Sequence, residues 1–364
     1  MRVKALLLRH KKLHIWLLAV LTVLGGSYLV RGNRAWMNAF ADHFVTPLHQ
    51  ALGGLCYRVS FSVMEVIYVL AALFALYYAA ASVIGIVRAK GRRWDRAYGA
   101  ALGAVCGLLT VYTLFWLLWG VYFWTDSFQD KSGVWAEPVA VEDLRTVTAH
   151  FAQNLAQAAE NVPRDEYGLF AVSREEILSK SSGVYRGAEA LFPFLEFQDR
   201  GVKPMTFSRL MSRMDFTGFY CAYTGESNVN VDSPACFLPS TIAHELGHQR
   251  GFASEQECNF LAVLAATTSG EPAYEYSGWL LGYIYLGNAL YAADQEAYWA
   301  VRDALPETVL ADLQYNNAYW AQFRDTAVQK VSTTVYDGLL KGYGEERGIQ
   351  SYGTVVDMLV AYYK

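Results

Sequence analysis

The sequence predicts an α-helical membrane region with three transmembrane helices, followed by a mainly α-helical (α+β) domain with a small sheet. Of the 364 residues, 54% are hydrophobic and only 18% are charged, whereas a soluble globular protein carries about 25% charged residues. Three long uncharged stretches all lie before residue 125, and residues 126–364 have the mixed composition of a folded domain. We therefore divide the chain into a membrane region, 1–125, and a second domain, 126–364.

The three uncharged stretches set the predicted transmembrane helices. They are Ile15–Val30, Val66–Val87 and Ala97–Trp124. A helix needs about 20 apolar residues to cross the hydrocarbon core, which the second and third stretches supply. The first is shorter, but no small-residue cleavage site follows it, so we interpret it as an anchor and not a signal peptide. We expect spans at about 15–30, 66–87 and 99–124.

The distribution of basic residues predicts the orientation of these spans. Five Lys or Arg residues lie in the first 14 positions and five in the loop 88–96, but only three in the longer loop 31–62. Basic loops stay in the cytoplasm, so we expect a cytoplasmic N-terminus and an extracytoplasmic second domain. The net charge of −4 gives no reason to expect that the protein binds nucleic acid. The three predicted spans make the lipid bilayer the expected partner.

Local patterns in the second domain predict several elements. Ser173-x-x-Glu176 is typical of a capping box that opens a helix. Ser227–Val231 alternates polar and β-branched residues, which predicts a short strand. Apolar periodicity predicts helices over Phe260–Ala266, Trp279–Tyr291 and Val355–Tyr362.

Cysteine usage gives little information about this chain. The five cysteines are widely spaced and form no CxxC pair, which argues against a disulfide scaffold and against a cysteine zinc site. Cys221 and Cys236 could form a disulfide in an oxidising compartment, and the sequence leaves that open.

Residues 244–248 read His-Glu-Leu-Gly-His. Positions i and i+4 share one helix face, so His244 and His248 can direct two imidazoles at one metal ion. Glu245 lies at the flank of that face, where it can act as a base on water. Imidazole and carboxylate ligands suit Zn²⁺, which is the expected cofactor.

The residues on either side of this motif strengthen the prediction of a metal-binding helix. An HExxH pattern arises by chance in about one chain in a hundred of this size, so the five residues alone are moderately specific. Ser240 or Thr241 can cap the helix and Gly251 can end it. An ordinary exposed helix face with two histidines is the alternative, and we disfavour it.

A zinc site of this kind needs a third protein ligand. No histidine follows His248, so we expect a carboxylate. Glu255 and Glu257 are the two candidates that the nearby sequence offers. Glu257 can also form a capping box with Ser254.

This arrangement resembles the gluzincin group of metallopeptidases, in which a glutamate from a second helix completes the zinc site. In that group an Asp or Asn four residues later often orients a ligand histidine. The resemblance implies a zincin-like fold, Glu255 as third ligand with Glu257 as the alternative, and Asn259 as the orienting residue. The chain departs from the group in the short linker of six residues, 249–254, which requires a sharp turn at Gly251.

A wider pattern resembles an uncharacterised family of bacterial membrane proteins. The resembling parts are Thr217–Tyr220, Glu226–Val231, the run HELGHQRGFASEQECNF at 244–260 and Ser351–Gly353. This resemblance covers most of the chain, including the predicted spans. It implies a membrane setting and a zincin-like fold, and it identifies no substrate.

Two further roles in the second domain are expected from zincins in general. An edge strand binds extended peptide by backbone pairing, so the 227–231 strand could contact substrate, with Asn228 or Asn230 facing it. An oxyanion donor is also needed. Four tyrosines are candidates for it: Tyr276, Tyr283, Tyr343 and Tyr352.

The expected function is a membrane-anchored zinc metallopeptidase that hydrolyses peptide bonds of a peptide or protein substrate on the extracytoplasmic side. Glu245 would activate a zinc-bound water and pass its proton to the leaving amine. The alternative is a non-catalytic zinc-binding membrane sensor or scaffold with a zincin fold. A transport accessory is less favoured, because the spans contain almost no polar residues.

Overall fold

The computed structural model describes residues 2–343 and 352–364. The described chain is mostly helical and contains one small sheet. It forms two compact units. The first comprises Met1–Leu48 and Val63–Thr125, and the second comprises His49–Ser62 and Asp126–Lys364. The boundary between the units at 125/126 coincides with the predicted one. Residues 49–62, which the sequence analysis assigns to the membrane region, belong to the second unit.

The first unit contains the long apolar helices. The helices from the N-terminus to residue 118 are α1 Arg2–Arg9, α2 Lys11–Val30, α3 Arg34–Phe40, a π-helical turn Ala41–Val45, α4 Thr46–Cys56, α5 Val63–Arg88 and α6 Arg93–Leu118. By length and composition α2, α5 and α6 can each cross a membrane, which confirms three membrane-length helices. The third begins earlier than predicted and ends at Leu118, because the chain tightens there into a 3₁₀ turn, Gly120–Trp124.

The second unit contains α4 from His49 onward. Its other helices all lie after residue 125. They are α7 Phe128–Ser132, α8 Val141–Glu160, α9 Arg174–Lys180, α10 Arg186–Leu191, α11 Ser208–Arg213, α12 Leu238–Gln249, α13 Glu255–Thr267, α14 Pro272–Ala293, α15 Gln295–Arg302, α16 Glu307–Ala321, α17 Ala327–Tyr343 and α18 Tyr352–Tyr363. Short 3₁₀ turns lie at Ser181–Gly183, Pro193–Leu195 and Ala235–Phe237. The three helices predicted from apolar periodicity are confirmed as α13, α14 and α18.

Helix α13 lies at the centre of the core of this unit. Phe260 through Ala266 are all fully buried, and α12, α14 and α18 pack around α13. A helix that is apolar on every side needs such surroundings. The predicted helix start at Ser173 is confirmed, since its hydroxyl accepts the Glu176 N–H at 3.2 Å and opens α9, which is one of the two hydrogen bonds of the predicted capping box. All five cysteines are free thiols in the structure, including Cys221 and Cys236.

The sheet has three short strands: β1 Lys203–Pro204, β2 Gly218–Cys221 and β3 Glu226–Val229. Their order is β1-β3-β2, with β3 parallel to β1 and antiparallel to β2. The strand predicted at 227–231 therefore exists but is central, and the expectation of an edge strand there is wrong. Because β1 is only two residues long and includes a proline, it has no recognisable strand pattern in the sequence.

Candidate metal centre

Helix α12 carries the HExxH residues and ends in a tight turn. Gly251 adopts φ +89°, a left-handed conformation that favours glycine after a helix. The Gly251 N–H donates to the His248 carbonyl oxygen at 2.9 Å, which closes the turn. Neither Ser240 nor Thr241 caps the helix, which begins earlier, at Leu238. The turn returns the chain so that α13 begins at Glu255 and packs on α12.

Three side chains from these two helices converge on one point. The Nε2 atoms of His244 and His248 are 3.1 Å apart, and Glu255 oxygens lie 3.1 Å from the first and 3.5 Å from the second. Ligands about 2.0–2.1 Å from a tetrahedral zinc ion lie about 3.3–3.4 Å from one another. The three spacings therefore match three corners of such a tetrahedron. Among the described residues, this trio is the group that could hold a metal ion.

The partners of the two imidazoles favour metal-binding tautomers. His244 Nδ1 lies 2.9 Å from the Oδ1 atom of Asn259, and His248 Nδ1 lies 2.7 Å from the Phe252 carbonyl oxygen. Both oxygens are acceptors, so each Nδ1 carries a hydrogen, and the Nε2 lone pair of each imidazole in its neutral form is available to a metal ion. The two Nε2 atoms and a carboxylate then face one point, an arrangement that a bound cation stabilises. The donor set fits zinc.

The two candidate third ligands have different environments. Glu255 faces the histidines and is 24% exposed, so its carboxylate is in contact with solvent. Glu257 is buried on the other side of α13 and accepts the Gln129 N–H at 3.2 Å. Burial raises the pKa of Glu257. It forms no capping box with Ser254, whose side chain makes no cap hydrogen bond.

Glu245 lies between the ligands in sequence and beside them in space. It is only 4% exposed, and its Oε2 atom is buried without a hydrogen-bond partner in the described part of the chain. Burial raises the pKa of Glu245 to about 7, against the lowering effect of the two histidines. A buried carboxylate with one unpartnered oxygen has the chemistry expected of a general base.

Gly218 of β2 makes room for this carboxylate. A Cβ atom placed on Gly218 would lie 2.3 Å from Glu245 Oε1 and 2.7 Å from its Cδ. No side chain fits at this position unless Glu245 moves. Sequence reasoning noted the Thr217–Tyr220 stretch only for its resemblance to a family and did not predict the contact.

Sequence reasoning also missed Tyr336. Its hydroxyl donates to Glu255 Oε1 at 2.5 Å, and its ring packs edge-to-face on Phe216. Burial raises the pKa of Tyr336 far above its ordinary value, so the hydroxyl remains a donor. With 25 tyrosines in the chain and no local motif on α17, no sequence signal distinguishes this one.

The tyrosines predicted as oxyanion donors and the asparagines predicted as substrate contacts are buried where their side chains are described. Tyr276 donates to the carboxylate of Asp312, and Tyr283 is buried on the same helix, α14. The side chains of Tyr343 and Tyr352 lie outside the described residues. Asn228 and Asn230 are fully buried. Asn230 donates to Ser212 Oγ and to the Phe216 carbonyl oxygen, so we do not retain these two asparagines as substrate contacts.

Comparison with known proteins assigns a family but not an activity. No curated protein and no solved structure matches the chain significantly. One family model matches residues 40–360, which is most of the chain and includes the candidate metal ligands. The chain belongs to the family described as "Protein of unknown function (DUF3810)".

Proposed function

We propose that this chain is a membrane-anchored zinc metallopeptidase with a zincin-like active site. The observation that carries the proposal is the cluster of His244, His248 and Glu255 with the unpartnered carboxylate oxygen of Glu245 beside it. A purely structural zinc site is closed by four protein ligands and needs no base. Three protein ligands and an adjacent base are typical of a hydrolytic site.

The three ligands would hold the ion, with Asn259 and the Phe252 carbonyl oxygen keeping the imidazoles in place. Lewis-acid activation of a carbonyl group and of water is the chemistry that zinc supplies when bound. Glu245 would accept the proton of the attacking water at Oε2 and deliver it to the leaving amine. Its raised pKa suits a group that must accept and release a proton near neutral pH.

An extended peptide would pair with β2. Strand β3 has neighbours on both sides, whereas β2 pairs only with β3 among the described strands. In an antiparallel pair alternate residues direct their backbone groups outward. Asn230 N–H bonds to the Thr217 carbonyl oxygen, so the next residue, Gly218, directs its backbone away from β3. Gly218 lies against the Glu245 carboxylate, so a peptide paired at this edge would pass close to the proposed base.

The membrane setting follows from α2, α5 and α6 together with the basic residues that flank them. We propose that the N-terminus is cytoplasmic and that residues 126–364 are extracytoplasmic, for the charge distribution given above. Reporter fusions at the C-terminus check this side directly. Activity of a reporter that functions only in the cytoplasm would contradict it.

The test of the proposed function uses full-length protein in lipid nanodiscs and a broad peptide library. Wild type should cleave peptides in a zinc-dependent manner, and Glu245→Gln should bind zinc equally but lose about 10²–10⁴-fold in rate. A Glu245→Gln variant as active as wild type contradicts the mechanism. Zinc-loaded wild type that cleaves nothing favours the alternative, a non-catalytic zinc-binding sensor or scaffold.

A further inference from the structure

Residues 49–62 lie in sequence between two membrane-length helices, α2 and α5, but belong to the second compact unit. We call them the inter-span segment. We propose that this segment positions the candidate site by holding strand β3, and through β3 the helix α12 that carries the HExxH residues. The catalytic consequence rests on the proposed function, whereas the contacts themselves do not.

The first contact is a buried ammonium group. Lys203 Nζ donates to the carbonyl oxygens of Cys56 at 2.9 Å and Phe61 at 2.8 Å. It also pairs with Glu226 Oε1 at 2.7 Å, and the two charged side chains are 4% and 0% exposed. These acceptors satisfy all three ammonium hydrogens. The charge therefore joins the inter-span segment to β1 and β3 at once.

The second contact is the buried hydroxyl of Tyr57. It donates to the Gly201 carbonyl oxygen at 2.9 Å and accepts the backbone N–H of Ser227 at 3.1 Å. Ser227 Oγ in turn donates to the carbonyl oxygen of Glu245 at 3.0 Å. Gln249, at the end of α12, donates to Ser227 Oγ at 3.2 Å. Ser227 thus connects the inter-span segment to α12 at Glu245.

The third contact is a close approach of two backbones. Gly225, in the turn before β3, has φ +67°. A Cβ atom there would lie 2.5 Å from the His49 carbonyl oxygen and 3.1 Å from the Gly53 nitrogen. Only glycine fits a left-handed residue packed this tightly. The inter-span segment therefore meets the β2–β3 turn without intervening side chains, which leaves little freedom for relative movement.

These contacts have a consequence for how the site is built. The β3–α12 pair is supported on one side by a segment whose two ends are covalently continuous with the first unit. The chain passes between the units three times, after residues 48, 62 and 125. Tyr57 is accordingly a positioning residue: it acts on the site through Ser227 and through Gln249 at the end of α12.

The test compares two tyrosine variants of full-length protein in nanodiscs. Tyr57→Phe removes the hydroxyl that joins the segment to β3. Tyr274→Phe is the matched control, because its buried hydroxyl donates to the Ile177 carbonyl oxygen, between α14 and α9. Three quantities are measured: the melting temperature, hydrogen–deuterium exchange of the α12 amides, and zinc affinity by chelator competition.

We expect Tyr57→Phe to accelerate exchange in α12 and to weaken zinc binding by about 10-fold. This is the lower end of the loss when a group hydrogen-bonded to a metal ligand is removed, because Tyr57 acts on the ligand helix only indirectly. Tyr274→Phe should lower the melting temperature similarly and leave both site quantities unchanged. Equal rates of hydrogen–deuterium exchange in α12 of the two variants would overturn the proposal. If wild type binds no zinc, the proposed function fails, and the exchange comparison still decides the positioning role.

If Tyr57→Phe does not fold, a second variant tests the same proposal. The double substitution Lys203→Met with Glu226→Gln removes the buried pair without leaving one charge unpaired. It also frees the Cys56 and Phe61 carbonyl oxygens. Accelerated exchange in α12 of this folded variant supports the proposal, and exchange equal to that of wild type contradicts it.

Discussion

The Nδ1 atom of His244 lies 2.9 Å from the Oδ1 atom of Asn259, one residue of α12 against one of α13. This contact fixes which imidazole nitrogen carries the hydrogen, and so which one faces the other donors. It also joins the motif helix to the helix that supplies Glu255. Asn259 and Glu255 are four residues apart and lie on one face of α13, as the sequence predicts.

Asn259→Ala should weaken zinc binding by about 10- to 100-fold, because His244 loses the acceptor that sets its tautomer. Chelator competition on the full-length protein measures this. Asn316→Ala is the control, since Asn316 also accepts a ring N–H, from Trp320 Nε1 at 3.1 Å, but on α16. Equal zinc affinities of the two variants would show that Asn259 does not support the site.

Gly218→Ala should reduce turnover while zinc binding remains. The new methyl group would lie 2.3 Å from Glu245 Oε1, so the carboxylate must move and proton transfer loses its geometry. We expect a fall in kcat of about 10²-fold, the lower end of the contribution of a general base. The control is Gly107→Ala, where nothing lies within 4 Å of the added carbon. A fully active Gly218→Ala variant contradicts this placement of Glu245.

Tyr336→Phe keeps the ring packed on Phe216 but removes the donor to Glu255 Oε1. Because the hydroxyl holds one carboxylate oxygen, we expect Glu255 to lose its orientation and zinc affinity to fall by about 10-fold. Tyr274→Phe again serves as the control for loss of a buried hydroxyl. Unchanged zinc affinity in Tyr336→Phe would mean that the hydroxyl does not orient the ligand.

His49 predicts a pH dependence of stability. Burial lowers its pKa to about 4, so the folded state keeps it neutral while the unfolded chain protonates it near pH 6.5. The stabilising contribution is complete above pH 6.5 and is lost as the pH falls towards 4, by about 2–3 kcal/mol at pH 4.5. Melting temperatures of wild type should fall more steeply over this range than those of His49→Gln. Parallel curves would contradict the buried neutral state.

Sequence patterns predict those features of the structure that depend on residues close to one another in the sequence. The long apolar helices, the motif helix and the pair of Glu255 and Asn259 all follow from periodicity or from i, i+4 spacing. The turn at Gly251 was predicted as well, because a left-handed residue after a helix is a local property of glycine.

Long-range relationships were not predictable in this way. Tyr336 contacts Glu255 across 81 residues of sequence, and Tyr57 contacts Ser227 across 170. Neither pair is marked by a spacing rule, because such contacts depend on how whole elements pack. The central position of β3 was missed for the same reason, since its partner β1 is a two-residue strand.

The most direct measurement of the central claim is metal content of the purified full-length protein by elemental analysis. About one zinc per chain is expected in wild type. His244→Ala and Glu255→Gln should lose it, and Glu257→Gln, which changes a buried carboxylate away from the cluster, should retain it. A folded wild-type protein without zinc, or zinc retained by Glu255→Gln and lost by Glu257→Gln, would contradict the site described above.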